Sequence, residues 1–115
     1  MHELSIAIGI VEAAEEEAGL RGATEVNAVH LKLGPLSGVM REALEFSYGI
    51  ACEDTILAGS RLVIEETPVI VFCAACGENR SIVSLQAFRC AVCGAAAGEI
   101  VQGRELEVFA LEIRQ

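Results

Sequence analysis

Tryptophan is missing from this chain of 115 residues, tyrosine occurs once and phenylalanine four times. With 53% of the residues apolar, a core can form, but it must be aliphatic. Positive charge is equally scarce: eight basic residues face 17 acidic ones, for a net charge of −9. Such a chain repels phosphate backbones, which argues against nucleic-acid binding. Long apolar runs are lacking too. Residues 4–11 are apolar apart from Ser5, but Glu12 and then Glu15, Glu16 and Glu17 follow, and no basic region precedes them. This is too short and too acidic at its flanks for a signal peptide or a membrane span, so the expected location is cytoplasmic. Neither G-x-G-x-x-G nor G-x4-G-K-S/T occurs, which removes the usual phosphate-cradling loops. Histidine occurs only as His2 and His30, and residues 68–102 contain none. No serine or cysteine has a readable base beside it, so the chain does not read as an enzyme.

What the chain does have is a pair of C-x2-C-G units, Cys73-Ala-Ala-Cys76-Gly77 and Cys90-Ala-Val-Cys93-Gly94. Two thiolates three residues apart converge on one metal, and the second pair completes a tetrahedral set. A glycine after each pair suits a turn with positive φ that brings backbone N–H groups beside the sulfurs. Zn(II) in a structural role is the expected occupant, although an iron site of rubredoxin type uses the same ligands and spacing alone does not separate them. Disulfides would need an oxidising compartment, and nothing in the chain points to export. The fifth cysteine, Cys52, reads as a small buried hydrophobe.

The remaining pattern predicts an α+β fold, a three-stranded sheet covered by two helices with an inserted four-cysteine zinc-ribbon module. Residues 4–18 carry a helical stripe of Leu4, Ala7, Ile8, Val11, Ala14 and Ala18, with Ile6 and Ile10 widening it and Gly19 placed to end it. Residues 25–34 alternate as a strand, with Val29, Leu31 and Leu33 on one face and Ala28, His30 and Lys32 on the other. Gly34-Pro35-Leu36 breaks it, and Ser37 is expected to cap a helix over residues 38–51. Further strands are expected at residues 61–66 and 105–113. The domain expectation is residues 1–67 plus 103–115 as one α+β domain, with residues 68–102 as the zinc-binding module inserted before the last strand. That module is too small to bury a core of its own, so metal must stabilise it.

The N-terminus offers a second donor set. Histidine at position 2 disfavours removal of the initiator, so Met1 supplies a free α-amine, His2 an imidazole and a backbone nitrogen, and Glu3 a backbone nitrogen and a carboxylate. Planar, nitrogen-rich sets suit Ni(II) or Cu(II) better than Zn(II).

Met1-His2-Glu3-Leu4-Ser5, Gly34-Pro35-Leu36-Ser37-Gly38-Val39, the paired cysteine units and Gly103-Arg104-Glu105-Leu106 together resemble the HypA/HybF family of hydrogenase maturation factors, the nickel-incorporation proteins. The resemblance spans essentially the whole chain, in order and at compatible spacing. It implies a nickel metallochaperone with Ni(II) as transferred cargo on Met1, His2 and Glu3, and structural Zn(II) on Cys73, Cys76, Cys90 and Cys93. It also implies a HypB-type GTPase and the large subunit of [NiFe]-hydrogenase as partners. Some members serve urease, which adds urease maturation proteins to the implied partners, with no nucleic acid and no membrane. Because residues 68–102 lack histidine, a nickel geometry that borrows a ligand from that segment is not available here. The rival reading is a zinc-ribbon protein-interaction adaptor that does not handle nickel.

Overall fold

A computed structural model describes residues 2–115. The elements run α1 (Glu3–Leu20), β1 (Glu25–Leu33), α2 (Arg41–Ala51), β2 (Arg61–Glu66), β3 (Ile70–Cys73), β4 (Glu78–Ser84), β5 (Ala87–Cys90), β6 (Ile100–Gln102) and β7 (Leu106–Arg114). They fall into two compact units. The first comprises Met1–Lys32, Gly38–Glu65 and Glu107–Gln115, the second Leu33–Ser37 and Glu66–Leu106.

The first unit holds both helices and a three-stranded sheet in the order β2-β1-β7. The α1 face that is buried consists of Ala7, Ile10, Val11, Ala14 and Ala18, while the expected Leu4 and Ile8 are exposed. Small residues on that face allow close packing against α2, which buries Leu44, Ser47 and Tyr48. From the central strand come Val26, Ala28, Val29 and Leu31. Ala28 and Val29 are both buried, and because consecutive strand residues point to opposite faces, both faces of β1 are covered at that point.

Two helix ends differ from expectation. α1 runs past Gly19 to Leu20, and the left-handed residue is Gly22, at φ +68°. The bonds Ala23 N–H to Ala18 O (2.9 Å) and Gly22 N–H to Gly19 O (3.1 Å) form a Schellman motif. Arg21, the C-cap, also pairs with Glu17 at 3.0 Å, easing the acidic cluster at a helix end that disfavours anions. α2 starts at Arg41 with Met40 as N-cap, so Ser37 does not cap it. Ser37 N–H instead closes a turn onto Gly34 O at 3.1 Å, and Gly38 takes φ +80° before the chain can enter the helix.

On the outer face of the first sheet, His30 Nε2 lies 2.6 Å from Glu112 Oε2. The Phe109 ring meets His30 edge-on with centroids 5.9 Å apart, and Lys32 Nζ sits 5.1 Å from the Phe109 centroid. These contacts join β1 to its neighbour β7, and His30 followed by Arg61 holds the Glu112 carboxyl below its usual range.

The second unit contains a four-stranded sheet in the order β5-β4-β3-β6, with antiparallel pairing throughout. Its buried apolar side chains are Leu33, Val69, Val71, Cys73 and Cys90. Two of these five are cysteines of the paired motif, so apolar burial alone gives this unit very little core. Segment 33–37 is held by backbone bonds from Gly34 N–H to Glu105 O (2.8 Å), Leu36 N–H to Gly103 O (2.7 Å) and Thr67 N–H to Leu33 O (3.1 Å). A Cβ on Gly34 would run into the Gly103 carbonyl, and Gly103 itself sits at φ +130°, which side chains other than hydrogen rarely allow. Backbone therefore lies directly on backbone at this point.

Candidate metal centre

The two C-x2-C-G units sit at the ends of short strands: Cys73 closes β3 and Cys90 closes β5. After each pair a turn reverses the chain, with Gly77 at φ +71° and Gly94 at φ +77°. Gly77 N–H bonds to Cys73 O (2.7 Å) and Gly94 N–H to Cys90 O (2.9 Å), so both turns have the same construction. Arg89 Nη1 donates to Gly94 O at 3.2 Å and braces the second turn. All four sulfurs lie within 4.8 Å of one another. The Cys73–Cys93 pair is separated by 3.5 Å and the Cys76–Cys90 pair by 3.9 Å. A tetrahedral Zn(II) with Zn–S bonds of about 2.3 Å has edges of about 3.8 Å, so these spacings suit one ion. None of the cysteines is in a disulfide.

The donor set also fits electrostatically. Cys93 N–H and Val92 N–H both point at Cys90 Sγ at 3.4 Å, and they lower that thiol to about 6. Cys93 moves the other way. The Ala95 N–H favours its thiolate, but the Cys73 and Cys76 thiols outweigh that, and it rises to about 11. Four thiols this close cannot all ionise together unless a cation compensates them.

Arg80 is the neighbour that sequence reading missed. It lies on β4, just after the first turn, with Nη2 2.7 Å from Glu78 Oε2. Hydrogen bonding to the Cys76 thiol, followed by the Glu78 charge, raises the pKa of its guanidinium. Its Nε is buried and has no hydrogen-bond partner among the described residues. A thiolate at Cys76 would add a second negative partner to the Glu78 carboxylate that the guanidinium already holds, and a cation-loaded cluster of four thiolates, net −2, is stabilised in turn. Replacing Arg80 with methionine is expected to leave one Zn(II) per chain but to speed its loss to a chelator about tenfold. A metallochromic indicator follows that rate, and an unchanged rate would assign Arg80 to surface charge alone.

The N-terminal residues are placed separately. His2 is the N-cap of α1, exposed, with φ −96° and ψ 105°, and its side chain makes no capping bond. Its carbonyl accepts from Ile6 N–H at 3.2 Å, so α1 fixes its backbone while leaving the imidazole free. Glu3 begins the helix, and its Oε2 accepts from Met40 N–H at 3.2 Å, a bond that pulls its carboxyl below the usual range. That carboxylate thus serves the N-terminus of α2, where the N-cap side chain makes no capping bond. Met1 lies outside the described residues. Among the described residues, the four cysteines are the group that could hold a metal. Among the described residues, no helix is long and apolar enough to cross a membrane.

Comparison with known proteins agrees with this layout. A family model described as hydrogenase/urease nickel incorporation, metallochaperone, HypA matches residues 1–113. A hydrogenase maturation factor HypA from Chloroflexus aurantiacus is 50% identical over 112 residues, covering 97% of this chain and 98% of that protein. The hydrogenase maturation factor HypA of Chlorobaculum parvum is 41% identical over 113 residues, covering 98% and 99%. Among solved structures, the solution structure of the Ni metallochaperone HypA from Helicobacter pylori shares the fold, with a TM-score of 0.68 at 23% identity, covering 99% of this chain and 98% of that one.

Proposed function

The chain belongs to the HypA family of hydrogenase/urease nickel-incorporation metallochaperones, and from that membership we infer that it binds Ni(II) through Met1, His2 and Glu3. It releases the ion for insertion into [NiFe]-hydrogenase. The observation that carries this reading is the placement of His2: exposed, fixed in the backbone by α1, and with an imidazole that caps nothing. The α-amine of Met1, the imidazole and the two backbone nitrogens would offer a compact planar set. Glu3 contributes its backbone nitrogen, because its carboxylate is engaged with Met40 N–H. The nickel is cargo, so a terminal site with exchangeable ligands suits it better than a closed shell of four thiolates, which has no open position. Cys73, Cys76, Cys90 and Cys93 hold Zn(II) as the structural metal. Residues 1–67 with 103–115 act as the nickel-binding domain and residues 68–102 as the zinc module. The work is done in the cytoplasm with a HypB-type GTPase and the hydrogenase large subunit.

The test is a titration of Ni(II) into zinc-loaded protein with its native N-terminus and into a version with one extra residue before Met1. The extra residue moves the α-amine out of the chelate, and the expected result is a loss of affinity of about 100-fold or more, close to 3 kcal/mol. Equal affinity for the two proteins would sink the terminal site and leave the adaptor reading.

A further inference from the structure

We propose that the free edge of β7, with the groove between that strand and α1, docks a basic extended segment of a partner protein, which joins the sheet as a fourth strand. β7 ends the order β2-β1-β7, so one of its edges faces no strand of this sheet. The groove beside it has a volume of about 470 Å³ and is lined on the strand side by Val108, Phe109, Ala110 and Leu111. Consecutive side chains of a strand point to opposite faces. Four successive lining residues therefore put the groove along the strand's edge, where its backbone N–H and C=O groups lie. Across from them stand Ala13, Ala14 and Ala18 of α1, whose methyl side chains leave room for another backbone to approach.

Soluble proteins usually blunt such an edge with charge or proline, and the run from Val108 to Leu111 has neither. Val108 is 36% exposed and Phe109 46%, so apolar area is on offer along with the backbone. Charge selects the occupant. α1 carries Glu12, Glu15, Glu16 and Glu17 and no basic residue at all, and β7 adds Glu107, while its Glu112 is taken up by His30 and Arg61. Of the nearby cations, Arg21 pairs with Glu17 at 3.0 Å and Arg114 with Glu25 at 3.7 Å, and Lys32 Nζ sits 5.1 Å from the Phe109 ring centroid. A second copy of the chain would bring a net charge of −9 to a surface of the same sign. A segment in which lysine or arginine alternates with apolar residues matches both the strand period and the field. Main-chain bonding would give it affinity, and the apolar groove and acidic rim would give it selectivity.

The test uses the full zinc-loaded chain and a synthetic nine-residue peptide of alternating valine and lysine, followed by amide hydrogen exchange and fluorescence anisotropy. Expected are slowed exchange at residues 107–113 and binding that weakens about tenfold or more between low and high salt. A twin peptide with glutamate for lysine should not bind. Ala13→Arg, an exposed helix position on the groove wall, should weaken the lysine peptide about tenfold while the melting temperature and zinc content stay unchanged. Equal binding of the two peptides, or binding without protection at residues 107–113, would overturn the proposal. So would light scattering that shows a dimer with these amides already protected, because the edge would then belong to a second copy.

Discussion

Serine in place of Cys90 is expected to strip the protein of its Zn(II) and unfold the second unit while the first keeps its structure. Cys90 is fully buried, accepts two backbone N–H groups at 3.4 Å and lies 3.9 Å from Cys76 Sγ. A serine hydroxyl stays protonated at neutral pH, so the site loses one of its four anionic donors and zinc affinity should fall by at least about two orders of magnitude, near 2.7 kcal/mol. Little else holds that unit. Besides Cys73 and Cys90, its buried apolar side chains are Leu33, Val69 and Val71. Zinc binding in such modules is largely folding free energy. Zinc content together with amide exchange over residues 70–102 reads the outcome. One zinc per chain with unchanged exchange would show that the unit does not depend on the metal.

The second large effect is expected from His2→Ala: nickel affinity lower by about 100-fold or more, with fold and zinc content unchanged. In the proposed terminal set the imidazole is one donor, so its removal would break the chelate ring it closes. The side chain makes no cap to α1, and the helix keeps its first bond because that bond uses the His2 carbonyl, 3.2 Å from Ile6 N. Thermal melting should therefore match the unsubstituted protein. The pair of substitutions then separates the metals: Cys90→Ser lowers zinc and spares the terminus, and His2→Ala does the reverse. A large fall in melting temperature for His2→Ala would mean that the side chain has a structural role.

How legible this was depended on the range of the forces involved. The cysteine spacing announced its site because chelation geometry is local, and the strand at residues 61–66 was read to the residue because turn residues bound it on both sides. The start of α2 was not legible. Ser37 has the right side chain for a cap, but Gly38 turns the chain away and the bond to Met40 N–H comes from Glu3, 37 residues earlier. Gly19 was the expected stop for α1, and only the bonds from Gly22 and Ala23 back into the last turn place the left-handed residue at Gly22 instead. Strands β3 to β6 were missed as a sheet because runs of three to seven residues such as Ile100–Gln102 carry no usable period. Arg80 gave no signal either, since one arginine in a polar strand looks like any solvated charge until its buried Nε is seen.

The strand order β2-β1-β7 also sets an order of events in time. β1 and β2 are made before any of the four motif cysteines, whereas β7 is made after all of them. During synthesis the first sheet must therefore wait, with one side of its central strand open, until the whole cysteine segment has left the ribosome. The turns at Gly77 and Gly94 involve only near neighbours and can form as soon as they emerge. Zinc can thus be captured while the first sheet is unfinished, and slow translation between Cys93 and Leu106 would lengthen the interval in which β1 is exposed to mispairing.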